Sequence, residues 1–133
     1  MTTVLFACVH NAGRSQMAAA FFNAMADPSR AKALSAGTQP ADHIHPEVVT
    51  VMRESGIELA GVEPQRLTDD LARNATILVT MGCGDSCPVV PGVYRMDWEL
   101  PDPKGLSPDA VRAIRDDIRD RVSGLVNAQG VSR

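Results

Sequence analysis

Apolar positions along the chain alternate between short continuous runs and spaced stripes. Thr3 to Cys8 is nearly all apolar, with β-branched and aromatic members, the pattern of a strand buried on both faces of a parallel sheet. After Arg14, the stretch Ser15 to Ala26 is rich in strong helix formers and places Met17, Ala20, Phe21, Ala24 and Met25 at i, i+3, i+4, i+7 and i+8, which predicts a helix stopped by Asp27-Pro28. Ala31 to Ala36 reads as a second strand ending at Gly37, and Pro46 opens a helix carrying Val48, Val49, Val51 and Met52 before Gly56. Thr68, followed by Asp69-Asp70, reads as a helix N-cap with acids in the first turn. Ala75 to Thr80 is the next buried strand and Gly92 to Met96 a shorter one, followed by the Pro-rich loop Leu100 to Gly105. The final helix has Ser107 as N-cap, Pro108 at its first position and Val111, Ile114, Ile118, Val122 and Leu125 along one stripe. Its opposite face, with Arg115, Asp116, Arg119 and Asp120, reads as solvated.

Strands alternating with helices predict an α/β domain with a mostly parallel sheet and right-handed crossovers. Ligands of such sheets bind outside the carboxyl ends of the strands. Cys8, Cys83 and Asp102 each follow a strand and so share that edge. At 133 residues and 44% hydrophobic content the chain has room for one core. Residues 1–133 are therefore expected to form a single domain, with no repeat, linker or low-complexity segment. The formal charge of −3 offers no footprint for gripping nucleic acid or an anionic membrane, so any anion site must be local. The first residues carry no basic leader, and no apolar run approaches a membrane span, which points to a cytoplasmic protein. Three cysteines is an odd number for a disulfide framework and shifts the expectation to catalytic or redox roles.

The first cysteine stands where chemistry is expected. In Cys8-Val9-His10-Asn11-Ala12-Gly13-Arg14-Ser15 a strand passes through small residues into a helix, turning backbone N–H groups inward beside the positive end of the helix dipole. Such a turn binds a tetrahedral oxyanion. Arg14 adds a planar fork of donors, Asn11 and Gly13 tolerate the unusual φ values a cradle needs, and Ser15 is placed to donate to the Cys8 sulfur. The same field favours a thiolate at Cys8. A buried structural cysteine is the plain alternative, but an Arg-Ser pair opening a helix six residues after Cys8 is far more specific than a cysteine alone.

These residues match the Cys-x5-Arg-Ser signature of the low-molecular-weight protein tyrosine phosphatases and of the arsenate reductases that share their fold. The resemblance covers almost the whole chain. It extends to Ser35-Ala36-Gly37, to Thr80-Met81-Gly82-Cys83-Gly84-Asp85-Ser86-Cys87-Pro88 and to Trp98-Glu99-Leu100-Pro101-Asp102-Pro103, where it is closest to the arsenate reductase branch. It implies a single three-layer domain, a four-stranded parallel sheet flanked by helices. It also implies that Cys8 attacks arsenate, with phosphate or sulfate as mimics, and that Cys83 attacks the adduct to release arsenite. Cys87 would then take over the disulfide, to be reduced by thioredoxin or by a glutaredoxin-like or mycothiol-type system. Asp102 takes the place of the general acid, with Asp97 the alternative, and Asn11, Ser15 and Ser35 those of supporting residues around Arg14. No tightly bound cofactor and no metal is implied. The chain departs from the best-known thioredoxin-coupled members in having only three residues between Cys83 and Cys87.

Two other readings compete. A phosphatase needs only Cys8, an acid and water. However, Asp102 is followed by Pro103-Lys104-Gly105 where phosphatase relatives hold the substrate ring with aromatic residues, and only 4% of the chain is aromatic. Zinc on Cys83, Cys87, His43 and His45 lacks the strong paired spacings, and Pro46 places both histidines in a surface loop before a helix.

Overall fold

The computed structural model describes residues 1–82 and 89–133. The elements follow the chain as β1 (Thr2–Cys8), α1 (Arg14–Met25), β2 (Ala31–Gly37), α2 (Pro46–Glu54), α3 (Asp69–Arg73), β3 (Ile77–Thr80), β4 (Tyr94–Asp97) and α4 (Pro108–Gln129). The four strands form one sheet in the order β2-β1-β3-β4, and every neighbouring pair is parallel. In this register Cys8 lies opposite Gly37, Ala7 opposite Thr80, and Thr80 opposite Asp97. The carboxyl ends of all four strands therefore meet at one edge. β1 runs between β2 and β3, so the chain leaves it toward one side and later returns to the other, the crevice where open α/β sheets bind ligands.

Because successive side chains of a strand face opposite ways, the continuous apolar run of β1 supplies two cores. Val4, Phe6 and Cys8, with Ile77 and Val79 of β3, pack under α1, α2 and α4 through Met17, Phe22, Val48, Met52, Ile118 and Val122. Leu5 and Ala7, with Ala36 and Leu78, face the opposite layer, which holds Ala72 of α3 and partly buried Leu67 and Leu71. The result is three layers around a central strand that is buried from Val4 to Cys8. Phe6 meets Phe22 edge-on at 6.2 Å between ring centroids and Trp98 at 5.7 Å, so one aromatic cluster fastens the chain after β4 to the middle of the sheet.

The caps act as predicted. The hydroxyls of Thr68 and Ser107 accept from the amides of Leu71 and Ala110, satisfying helix-end donors. Other expectations need correction. The expected stripe holds at Met17 and Phe21, with Ala20 and Met25 partly buried against the same core, but Ala24 is exposed and Ala18, Ala19 and Phe22 are buried as well, because the helix is covered on two sides, by the sheet and by α4. β3 starts at Ile77, since the Ala75 amide is spent on Ala72 of the preceding helix turn. β4 starts at Tyr94 because the Val93 amide bonds back to Val90 in a turn. Arg115 is not a solvated residue. Only 12% of its side chain is exposed, and it bonds the Val51 carbonyl and the Glu54 carboxylate, fastening α4 to α2. Among the described residues no helix is long and apolar enough to cross a membrane.

Candidate active site

The loop between β1 and α1 is held from outside. The carbonyls of Cys8, Val9, His10 and Ala12 accept from the amides of Thr38, Gln39, Ala41 and His45 at 3.1, 2.8, 2.9 and 3.0 Å. The Asn11 carbonyl accepts from Gln16 Nε2 at 3.1 Å. Five consecutive carbonyls are thus engaged by groups around the loop, and the Asn11 amide is turned to the Cys8 sulfur. The start of α1 adds to this loop: Gly13 makes no side-chain cap and the first turn holds no acidic residue, leaving helix-end donors and the positive dipole for an external anion. Gly37 makes the close approach feasible, because a Cβ there would stand 2.6 Å from the Val9 carbonyl oxygen and 2.9 Å from the Asn11 nitrogen.

Cys8 is 2% exposed, and its sulfur ends a hydrogen-bond chain whose direction is fixed as far as Ser15. The backbone amide of Gln65 can only donate, and it donates to Asn11 Oδ1 at 2.9 Å. Gln16 Nε2 donates to the same oxygen at 3.0 Å. Asn11 must therefore offer Nδ2 to Ser15 Oγ, 2.7 Å away. Ser15 accepts that bond and meets Cys8 Sγ at 2.8 Å, where its hydroxyl donates whenever the sulfur is a thiolate. The Asn11 amide donates to the same sulfur at 3.2 Å. The two groups meet the sulfur at the base of the loop and fix its position there.

Arg14 is 7% exposed and donates from Nη1 to the Leu100 carbonyl at 3.1 Å. Its guanidinium also lies against Gly82. One side chain thus connects the loop with the segments following β3 and β4. Pro103 closes the other flank: a Cβ on Gly13 would stand 2.8 Å from Pro103 Cγ and 3.7 Å from His45 Cδ2. Asp102, immediately before Pro103, is exposed at the rim and accepts from the Lys104 amide at 3.0 Å. Asp97 differs in kind. The Thr80 hydroxyl and then Arg95 bond its carboxyl and hold it below the usual aspartate range, which keeps it in the ionised form.

Of the expected residues, Cys8, Asn11, Arg14 and Ser15 converge in one buried cluster, with Asp102 on the loop packed against it. Val9, His10, Ala12 and Gly13 form the loop itself. Ser35 joins through its main-chain carbonyl, which accepts from Gln65 Nε2 at 2.8 Å. His45 is not the surface residue expected, being half buried beside Gly13, whereas His43 is exposed. Cys83 and Cys87, with Gly84, Asp85 and Ser86 between them, lie outside the described residues. Sequence reasoning missed Gln16 and Gln65, and it named Gly37 and Gly82 only within longer motifs, without these contacts. Gln16 stood next to Ser15 as the only visible cue. Gln65 acts through an amide that every residue possesses.

The pattern that defines the family Low molecular weight phosphotyrosine protein phosphatase matches residues 3–132. A putative arsenate reductase of Halobacterium salinarum is 42% identical over 124 residues, 90% of this chain and 87% of that protein. A glutaredoxin arsenate reductase of Synechocystis is 29% identical over 130 residues, 95% of this chain and 97% of that protein. Among solved structures, the thioredoxin-dependent arsenate reductase of Corynebacterium glutamicum superposes with a TM-score of 0.84 at 41% identity, covering 96% of this chain. This chain spans 61% of that longer one. With a match from β1 to beyond α4, the chain belongs to the low-molecular-weight phosphotyrosine protein phosphatase family.

Proposed function

We propose that the protein reduces arsenate to arsenite with Cys8 as nucleophile. The observation that carries the proposal is the buried Cys8 sulfur, bonded by Asn11 and Ser15 at the base of a loop whose carbonyls are all engaged from outside. The loop amides and the Arg14 fork hold three arsenate oxygens. Cys8 Sγ attacks arsenic while Asp102 gives its proton to the departing oxygen, which leaves as water. A Cys8–arsenic adduct remains. The thiolate of Cys83 then attacks Cys8 Sγ, the sulfur–arsenic bond breaks, and its electron pair stays on arsenic, releasing arsenite and leaving a Cys8–Cys83 disulfide. Cys87 attacks Cys83, frees Cys8, and leaves a Cys83–Cys87 disulfide for an external dithiol. The last two steps rest on the sequence and on the arsenate reductase relatives, whose names include both thioredoxin and glutaredoxin. A cytoplasmic enzyme drawing on either thiol system fits this cycle.

Arsenate-dependent NADPH oxidation with thioredoxin and its reductase, or with glutathione and glutaredoxin, tests the reading. Turnover with one system and none for Cys8→Ser is expected. Absence of turnover with both, together with rapid cleavage of an aryl phosphate, would make the protein a phosphatase instead. Mass spectrometry of single-turnover products tests the relay: Cys87→Ser should trap the Cys8–Cys83 disulfide, and Cys83→Ser should release no arsenite.

A further inference from the structure

Gly82 ends the described chain beyond β3 with φ at +95°, and a side chain there would occupy the place of the Arg14 guanidinium, overlapping Nη1 and standing 3.2 Å from Cζ. Two separate features thus select glycine here: the left-handed backbone and the space. The second is informative, because Arg14 has little freedom. Its Nη1 is held by the Leu100 carbonyl, its side chain is 7% exposed, and Ser15 and Gln16 next to it are engaged in the network around Asn11. A methyl group on residue 82 would push the far end of Arg14, breaking its bond to Leu100 or turning the fork, rather than unfold the sheet.

We propose that Gly82 is a positioning residue of the oxyanion site, and that the space left by its missing side chain sets the direction of the Arg14 fork. This deepens the proposed function, resting on the loop being an oxyanion site but not on the anion being arsenate. A fork gains its advantage from two parallel bonds to one anion. A rotation of a few tens of degrees leaves the charge nearby and loses the paired geometry. Gly61 provides the control for backbone strain. Its φ of +85° matches that of Gly82, and an added Cβ meets nothing within 4 Å.

The test compares wild type, Gly82→Ala and Gly61→Ala. The rates at which iodoacetate and neutral iodoacetamide alkylate the Cys8 peptide are followed by mass spectrometry, alongside the KM and kcat for arsenate. In the wild type the anionic reagent should react preferentially. Gly82→Ala should lower that preference about tenfold and raise the KM for arsenate by a similar factor, the loss of about one charge-assisted hydrogen bond, with a much smaller change in kcat. Gly61→Ala should share the loss of thermal stability and keep both the preference and the KM. An unchanged preference in Gly82→Ala, or an equal loss in both variants, overturns the proposal. If the wild type does not reduce arsenate but Gly82→Ala still loses the anion preference, the proposed function falls and the role of Gly82 stands. If Gly82→Ala does not fold, the double variant Gly82→Ala/Arg14→Ala decides. Recovery of folding supports the contact with Arg14, and a double variant that stays unfolded while Gly61→Ala folds refutes it.

Discussion

At Asn11 the backbone is left-handed, with φ at +51°, a conformation that costs most L-residues about 1–2 kcal/mol and that asparagine tolerates better than others. Its side chain, fully buried, spends Oδ1 on Gln65 and Gln16 and Nδ2 on Ser15. Asn11→Ala removes all three bonds, leaves buried donors on neighbouring groups and keeps the unfavourable φ. The expected loss is about 2–4 kcal/mol of stability, read from the urea midpoint at unchanged m-value. Alkylation of Cys8 should slow about tenfold, because Ser15 is no longer directed at the sulfur. Asn11→Gly separates the two effects. Relieved of the backbone strain, it should recover part of the stability and none of the alkylation rate. A variant as reactive as the wild type would mean that the Ser15 proton is oriented by something else.

At the scale of elements, ordinary capping chemistry gives sharp expectations. Ser107 caps α4, which is the helix against which α1 and α2 both pack. Ser107→Ala should cost about 1 kcal/mol, seen as a lower urea midpoint with activity unchanged. Glu58, equally exposed, receives Nε and Nη2 of Arg53 and the Ala60 amide, at 2.8, 3.0 and 2.9 Å, tying the last turn of α2 to the chain beyond it. Arg53 first, and the Ala60 amide second, pull the Glu58 carboxyl from the usual 4.5 down to about 2. A carboxyl with a depressed folded-state value stabilises the fold above its unfolded value and loses that contribution as acid protonates both states. The difference in melting temperature between wild type and Glu58→Gln should therefore be present above about pH 4.5 and disappear toward pH 2. It should be small, since both partners are more than half exposed. The same scale shows what a sequence discloses. β1, β2, α2 and α4 were legible because each signals locally, through a buried run, Pro46 or the Ser107-Pro108 start. Cys8, Asn11, Arg14 and Ser15 were legible because they share one contiguous motif. The Gln65 amide, 54 residues from Asn11, and the contact of Gly82 with Arg14 arise from parallel strands brought side by side, and no local pattern announces them. The face of α1 was only partly legible for a related reason, as periodicity finds one buried stripe and this helix is covered on two sides.

For the whole molecule, the proposed oxyanion site is a product of complete folding. Its carbonyl clamps come from the segment after β2, its network from Gln65, its arginine partner from Leu100 and its flank from Pro103. The unfolded chain has no such cradle, so an anion that binds it must stabilise the entire domain by mass action. With phosphate as the probe at about 100 times its dissociation constant, the gain is about 2.7 kcal/mol. For a domain of 133 residues that corresponds to a rise in melting temperature on the order of 8–10 °C. Chloride at equal ionic strength should give almost none, because the effect depends on tetrahedral geometry rather than on screening. Arg14→Lys is the discriminating variant. It keeps the positive charge but loses the planar fork and the geometry that reaches Leu100. If the cradle works by directed bonds, this variant should lose most of the phosphate shift while its melting temperature without phosphate falls only modestly. A shift of equal size in Arg14→Lys would instead make the loop a diffuse positive patch, and a shift of equal size in chloride would place the stabilisation outside the site altogether.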